Sequence, residues 1–236
     1  MKCLRTMVLF DCGELAASSD WKQIYSSYER AIELVDFPEG SGRLTLRRKV
    51  KREDGQWDRN GVNYLKKRFA DHMVSSEGWV SEARLGLKQH AKSPELRLYP
   101  SGEIYQEPIT SDFGGFDLST STHGGLKAAI EWETGNISSS HRSLNKLAIS
   151  LATEVVDIGV LIVPNREMYE HLTDRIGNIA ELAGYLSMWA SLGASVKRGM
   201  LVISVVGHDE LTSSEDHPYL PSGNDGRAKE GKAKKW

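Results

Sequence analysis

The chain has 236 residues, 39% hydrophobic and 26% charged, with a formal net charge of −2. These proportions exclude a disordered or fibrous protein and suit a single α/β domain over residues 1–236. The apolar stretch "MVLF" is interrupted by Asp11 and Glu14, so it makes no signal-peptide core, and no segment approaches the ~20 apolar residues of a membrane helix. Cys3 and Cys12 alone form neither a disulfide framework nor a zinc-ligand pattern, so an intracellular (cytoplasmic), reducing location is expected.

In chain order, "DWKQIYSSYERAIELVD" (20–36) places Trp21, Ile24, Tyr28, Ile32 and Val35 at helical steps, with Asp20 available as a cap. "FPEGSG" ends that helix, and 61–74 restores the spacing through Tyr64, Leu65, Phe69 and Met73. From 79 to 133 the pattern alternates. "RLYPSGEIYQ" predicts a hairpin around Ser101-Gly102, while "GGFDLS" and "LKAAIEWE" predict two strands joined by a Ser/Thr/Gly loop. Residues 137–153 read as a helix with Ile137, Leu144, Leu147, Ala148 and Leu151 on one face. "DIGVLIVP" (157–164) and "MLVISVVG" (200–207) are apolar runs of buried strands, separated by two short helices at 165–172 and 178–191. Alternating strands and helices imply a central mixed sheet flanked by helices on both faces. Beyond 208 the chain turns polar and rich in Gly, Pro and charge, which predicts a loosely held arm over 208–236.

The small net charge conceals clusters. "RLTLRRKVKR" (43–52) holds six basic residues, "LKKR" (65–68) three, and "GRAKEGKAKKW" (226–236) five. Each has an ordinary reading as a solvated loop or end, and each also suits a polyanion.

The sharpest chemical signal is "IEWE". In a strand, Glu131 and Glu133 project from one face and Trp132 from the other, and Asp117 in the preceding strand can come alongside Glu131. Three acids would then surround one point. Crowded carboxylates need an offset, which a hard divalent cation such as Mg²⁺ supplies through oxygen ligands. An acidic i, i+2 pair is also the common solvated face of a strand, and paired carboxylates equally serve a glycosidase. The apolar surroundings "LKAAI" and Trp132 favour a functional pair over a solvated one, and the basic clusters and polar helix start fit nucleic acid better than sugar.

"ETGNISSSHRSLNKL", "LTDRIGN", "DIGVLIVP" and "PSGNDGRAKEGKAKKW" resemble the BamHI/BglII-like family of type II restriction endonucleases, within the wider PD-(D/E)xK nucleases. The resemblance runs from about residue 55 to 236 and is only vague before that. It implies a restriction-endonuclease-like core, a homodimer, double-stranded DNA as partner and Mg²⁺ as cofactor. Asp117 and Glu131 look like the metal ligands, with the Trp132 backbone carbonyl completing the set. Glu133 stands where most of the wider group has lysine and where this family has glutamate, the proposed base for the attacking water. Glu82 resembles a further active-site glutamate, and Lys66 a lysine near the DNA.

The same resemblance assigns Asn136, Ser138 and Arg142 to base edges, and Asp174 with Arg175 to the outer G·C pair. Side-chain chemistry agrees: Asn pairs with adenine, Arg with guanine, and Asp accepts from cytosine. Gly223, Asn224 and Asp225 correspond to a C-terminal arm that reaches the minor groove. The implied site is GGATCC, cut after the first G, with a companion methyltransferase in the same system but no stable complex. Without the resemblance, Asn136 and Ser138 are a helix N-terminus and Asp174 with Arg175 a surface ion pair; His141 is read as surface or structural. Two departures stand out: the connection from Asp117 to Glu131 is shorter than in the family, and "AISLATEVVD" lacks the charges that bridge the family's dimer. A structure-selective or repair nuclease on the same core, or a non-catalytic DNA-binding module, are the competing readings.

Overall fold

The computed structural model describes residues 1–91, 95–105, 108–111, 113–173 and 176–221. Its strands are β1 (Lys2–Cys12), β2 (Thr45–Arg47), β3 (Val50–Lys51), β4 (Trp57–Asp58), β5 (Val80–Ala83), β6 (Phe116–Ser121), β7 (Lys127–Trp132), β8 (Ile158–Pro164), β9 (Gly199–Gly207) and β10 (Glu210–Thr212). The helices are α1 (Ser19–Glu33), α2 (Asn63–Ser75), α3 (Leu87–His90), α4 (Ile137–Ala152), α5 (Arg166–Tyr169), α6 (Ile179–Leu182) and α7 (Leu186–Ser191). Six strands form one sheet in the order β1-β9-β8-β7-β6-β5; β7, β8 and β9 run parallel and the outer strands are antiparallel to their neighbours.

The two continuous apolar runs occupy the centre because every residue of β8 and β9 is buried between helical layers. On one face α1 and α2 press Tyr28, Ile32, Leu65 and Phe69 against Ile130, Trp132, Ile162 and Val202. On the other, α4 and α7 bring Leu144, Leu147, Leu151 and Trp189 onto Ala129, Leu161 and Ile203. The mixed sheet with helices on both faces is therefore as its patterning predicts. His141 is half-buried, edge-on to Tyr185 and Trp189 at 4.5 and 5.1 Å.

Several local expectations change. β1 is absent from the sequence reading because register shifts between Cys3 and Arg5 and between Val8 and Phe10 break its alternation. Ser18, not Asp20, caps α1 by accepting from Trp21 N–H at 3.1 Å, while Asp20 receives the Gly124 N–H at 3.3 Å. The segment 178–191 is broken into α6, a 3₁₀ turn and α7. The hairpin expected around Ser101-Gly102, by contrast, does form: Leu98 N–H donates to Glu103 O at 2.7 Å, Gly102 N–H to Leu98 O at 2.8 Å and Tyr105 N–H to Leu96 O at 2.8 Å, about the antiparallel bridge of Arg97 to Ile104.

The tail is the largest correction. Residues 208–221 are not loose: β10 pairs in parallel with β2, His208 is buried, and Leu220 is 2% exposed. The rest of the arm, including Gly223, Asn224 and Asp225, lies outside the described residues.

Asn60 explains much of this docking. Fully buried, it donates from Nδ2 to the carbonyls of Arg47 (2.8 Å) and His171 (2.9 Å) and accepts from Leu220 N–H at Oδ1 (3.2 Å). One amide thus satisfies backbone groups from three separate segments. Asn60→Ala strips this partner from the Arg47 carbonyl and the Leu220 N–H, while the His171 carbonyl keeps the Asn60 N–H at 2.9 Å, so a loss of about 1–3 kcal/mol is expected in urea unfolding, with faster hydrogen exchange at Leu220. Loss of stability without faster exchange there would place the amide's importance elsewhere.

Candidate active site and nucleic-acid interface

β6 and β7 are joined by a tight turn in which Thr122 N–H donates to Leu126 O at 2.9 Å and Gly125 takes φ +84°. The short connection is thereby closed. The pairing Leu118 to Ile130 sets Asp117 across from Glu131, and Asp117 Oδ2 accepts the Trp132 N–H at 2.8 Å. Trp132 turns the other way and packs its ring 4.6 Å from Phe69.

The side chains do not gather as three acids around one point: among the described residues no group of three His, Cys, Asp or Glu side chains stands at metal-ligand spacing. Lysines intervene. Lys66 Nζ, from the first turns of α2, donates to Asp117 Oδ1 at 2.8 Å. Lys146 Nζ, from α4, lies 2.5 Å from Glu131 Oε1 and donates to the Gly115 carbonyl at 2.8 Å, with the Phe116 ring 4.8 Å away. The Ser143 hydroxyl donates to Glu131 Oε2 at 3.3 Å.

Sequence reasoning misses Lys146. Its signal is a stripe on α4, Ser139, Ser143, Lys146 and Ser150 at steps of four, three and four, beside the apolar face. A lone cation among small hydroxyls next to buried leucines marks a buried anion opposite.

Burial pushes the Glu131 carboxyl above its ordinary range; Lys146 opposes this and the Asp117 charge adds to it. Glu133 is pushed further, to about 7, by burial. The Ser140 hydroxyl and the Gly135 N–H, which donates to Oε1 at 2.6 Å, pull it down, while Glu131 and Asp117 push it up. Glu133 Oε2 is buried without a hydrogen-bond partner.

Glu82 sits on the outer strand between the pairs Ser81 to Leu118 and Ala83 to Phe116, hence across from Asp117, with φ +51°. Its side chain is exposed, and its carbonyl lies 3.0 Å from where a Cβ on Gly115 would stand, so a side chain there would crowd the backbone of β5. Asn136 caps α4 through Ser139 N–H at 3.3 Å and is exposed, as are Ser138 and Arg142, leaving this end of the helix open to a ligand. Asp174 and Arg175 lie outside the described residues. Their flanks are anchored: Thr173 N–H donates to Asn60 O at 2.6 Å, Ile176 bridges to Asn136, and Gly177 N–H donates to Gly135 O at 2.9 Å. A Cβ at Gly177 would fall 1.9 Å from Ser140 Oγ, so a side chain there would force that buried hydroxyl to swing aside.

This mixed sheet, with acids at the adjoining ends of β6 and β7 and a polar helix start beside them, has the fold of a restriction endonuclease. It is similar to the crystal structure of restriction endonuclease BglII complexed with a DNA 16-mer, with TM-score 0.56 and 10% identity, over 94% of this chain and 88% of that one. The family model "Restriction endonuclease BamHI" matches residues 1–227, and the chain belongs to that family. The match reaches back through β1 and α1, where the sequence by itself shows only a vague likeness. Type II restriction enzyme OkrAI of Oceanobacter kriegii is 32% identical over 228 residues, 97% of this chain and 99% of its own length. Type II restriction enzyme BamHI of Bacillus amyloliquefaciens is 34% identical over 110 residues, 47% of each chain. Among the described residues no helix is long and apolar enough to cross a membrane.

Two outcomes follow from the buried charges. Lys146→Met strands the Glu131 carboxylate and should cost about 3–5 kcal/mol in urea unfolding, whereas adding Glu131→Gln should return most of it. Additive losses would mean that the two side chains do not interact. For Glu133, the folded carboxyl holds its proton up to about 7 whereas the unfolded chain releases it near 4.5. The folded state therefore binds more protons between these values, so this stability is complete below the lower value and lost as pH rises through the upper. In EDTA, Glu133→Gln should match the parent near pH 4 and exceed it by up to ~3 kcal/mol near pH 8; a difference independent of pH would remove the burial argument.

Proposed function

We propose that the protein is a homodimeric type II restriction endonuclease that cuts both strands of DNA at GGATCC after the first G, leaving 5′-phosphate and 3′-hydroxyl ends. The observation that carries this is the double commitment of α4: its exposed start bears Asn136, Ser138 and Arg142, while Ser143 and Lys146 touch Glu131. Recognition and chemistry would share one rigid element.

Asp117 and Glu131, with the Trp132 carbonyl, would hold Mg²⁺. The donor set is all hard oxygen, and the unpartnered Glu133 Oε2 beside it fits a site built for a further ligand. When bound, Mg²⁺ lowers the pKa of an attacking water and neutralises charge on the phosphodiester. Glu133, with its carboxyl raised to about 7, is suited to accept a proton from that water near neutral pH. Lys66 and Glu82 flank Asp117 on either side; Lys66 would meet the phosphate backbone. Arg142, Asn136 and Ser138 would read inner base edges and Asp174 with Arg175 the outer G·C, each good contact being worth ~1–3 kcal/mol of discrimination. A palindrome calls for a two-fold reader, hence a dimer. Gly223, Asn224 and Asp225 would reach the minor groove, and a separate methyltransferase would protect the host DNA.

A digest of mapped plasmid with Mg²⁺ and with EDTA, followed by end sequencing, tests the whole reading. Discrete, Mg²⁺-dependent fragments with 5′-GATC ends are expected, and Asp117→Asn or Glu131→Gln should abolish cutting while retaining site-specific binding. Smeared products would favour a structure-selective nuclease, and different discrete ends would overturn the roles of Asp174 and Arg175.

A further inference from the structure

The basic run at 43–52 has no part in the site so far. Its second half folds into the β3–β4 hairpin, closed by Arg52 N–H to Gln56 O at 2.8 Å and by Gly55 at φ +83°. Val50 pairs with Asp58 and Lys51 with Trp57. Strand alternation therefore gathers Lys49, Lys51, Trp57 and Arg59 on one face. Lys49 Nζ stands 5.5 Å and Arg59 Cζ 5.7 Å from the Trp57 ring centre, and the ring is 46% exposed.

The hairpin itself supplies no acid to that face. Glu53 and Asp54 are in the turn, and Asp58 is on the opposite face, bound by Arg52. Lys49 has only Glu170, at 3.8 Å, and among the described residues no carboxylate pairs with Lys51 or with the neighbouring Arg48. Residues 47–59 hold six basic and three acidic side chains in a chain whose net charge is −2. A local excess of this kind is uncompensated and accessible.

The position of the hairpin matters as much as its charge. Lys49 N–H donates to His171 Nδ1 at 3.2 Å, and Asn60, directly after the hairpin, bonds His171 and Thr173. Three residues on, Ile176 bridges to Asn136 at the start of α4. Downstream, α2 delivers Lys66 to Asp117. The hairpin thus stands on the rim that joins the recognition segment to the acids, outside both.

We propose that the Lys49, Lys51, Trp57 and Arg59 face is a second, sequence-independent DNA contact that grips phosphates of the duplex flanking the recognition site. This rests on the endonuclease reading above. The cations supply phosphate contacts, and the indole gives them a flat platform on which they are held apart. Lys146, by contrast, is half-buried and spent on Glu131, so it offers nothing to flanking DNA.

The test uses the full chain in EDTA and two labelled GGATCC duplexes, one of about 40 and one of about 12 base pairs, titrated over a range of salt concentrations. Lys49→Ala/Lys51→Ala should weaken binding to the long duplex several-fold and make its log K against log[salt] slope shallower by about 1–2, at about 0.9 for each phosphate no longer neutralised. Binding to the short duplex, the thermal melting profile and the sites cut with Mg²⁺ should be unchanged. Lys51→Glu should weaken long-duplex binding further. An unchanged slope in both variants overturns the hairpin proposal alone, whereas a parent protein that binds neither duplex overturns the endonuclease reading and the hairpin with it.

Discussion

The end of β7 carries two buried carboxylates, and the surrounding structure is arranged around the cost of burying them. Glu131 and Glu133 are 7% and 4% exposed, so each must be neutralised, paired or protonated. The molecule uses a different solution for each. Glu131 receives an ammonium and a hydroxyl from α4, while Glu133 has only a backbone N–H and a nearby hydroxyl and responds by raising its affinity for a proton. Burial thus raises both of these like groups, Glu133 further than Glu131, because their neighbours differ, and that difference is a basis for giving them unlike chemical roles.

That arrangement depends on the depth at which α4 crosses the sheet. Leu144, Leu147 and Leu151 fix the helix on Ala129 and Leu161, and this seat places Ser143 and Lys146 over β7. The first turn of the same helix is tied to Ile176 and Gly177, and Gly177 approaches Ser140 so closely that a side chain there would displace the Ser140 hydroxyl. A shift of α4 would therefore disturb the Glu131 contacts and the ties to Ile176 and Gly177 together. Coupling between the two needs no long pathway, because a single packed helix spans the distance.

How much of the molecule is legible in its sequence follows from range of interaction. β7, β8, β9 and α4 announce themselves through periodicity, since their burial repeats with the geometry of their own backbone. β1 does not, because its bulges shift the alternation and its partner β9 is nearly two hundred residues away in sequence. Asp117, Glu131 and Glu133 can be proposed from residue type and strand geometry, but the lysine opposite Glu131 arrives from a helix whose register against the strand is a tertiary matter. The ordered stretch 208–221 is hidden for a related reason: its composition is that of a loose tail, and it is held by pairing with β2 and by the buried amide of Asn60, both far from it in the chain.

The placement of Lys146 also clarifies why glutamate can stand at position 133. By the family resemblance, position 133 falls where the wider nuclease group carries a lysine, which would bring positive charge from the strand itself. Here the strand supplies a third acid instead, and the cation is delivered across the interface from α4, with its ammonium bridging Glu131 and the Gly115 carbonyl just ahead of Asp117. The site keeps a positive charge beside the second acid although the strand has none to give. It gains at position 133 a group that can exchange a proton near neutrality, which an ammonium of ordinary pKa could not do. The exchange of strand lysine for strand glutamate is therefore compatible with the same charge balance only because helix and strand are packed together, and the chemistry proposed for Glu133 depends on the fold as directly as the fold depends on its buried leucines.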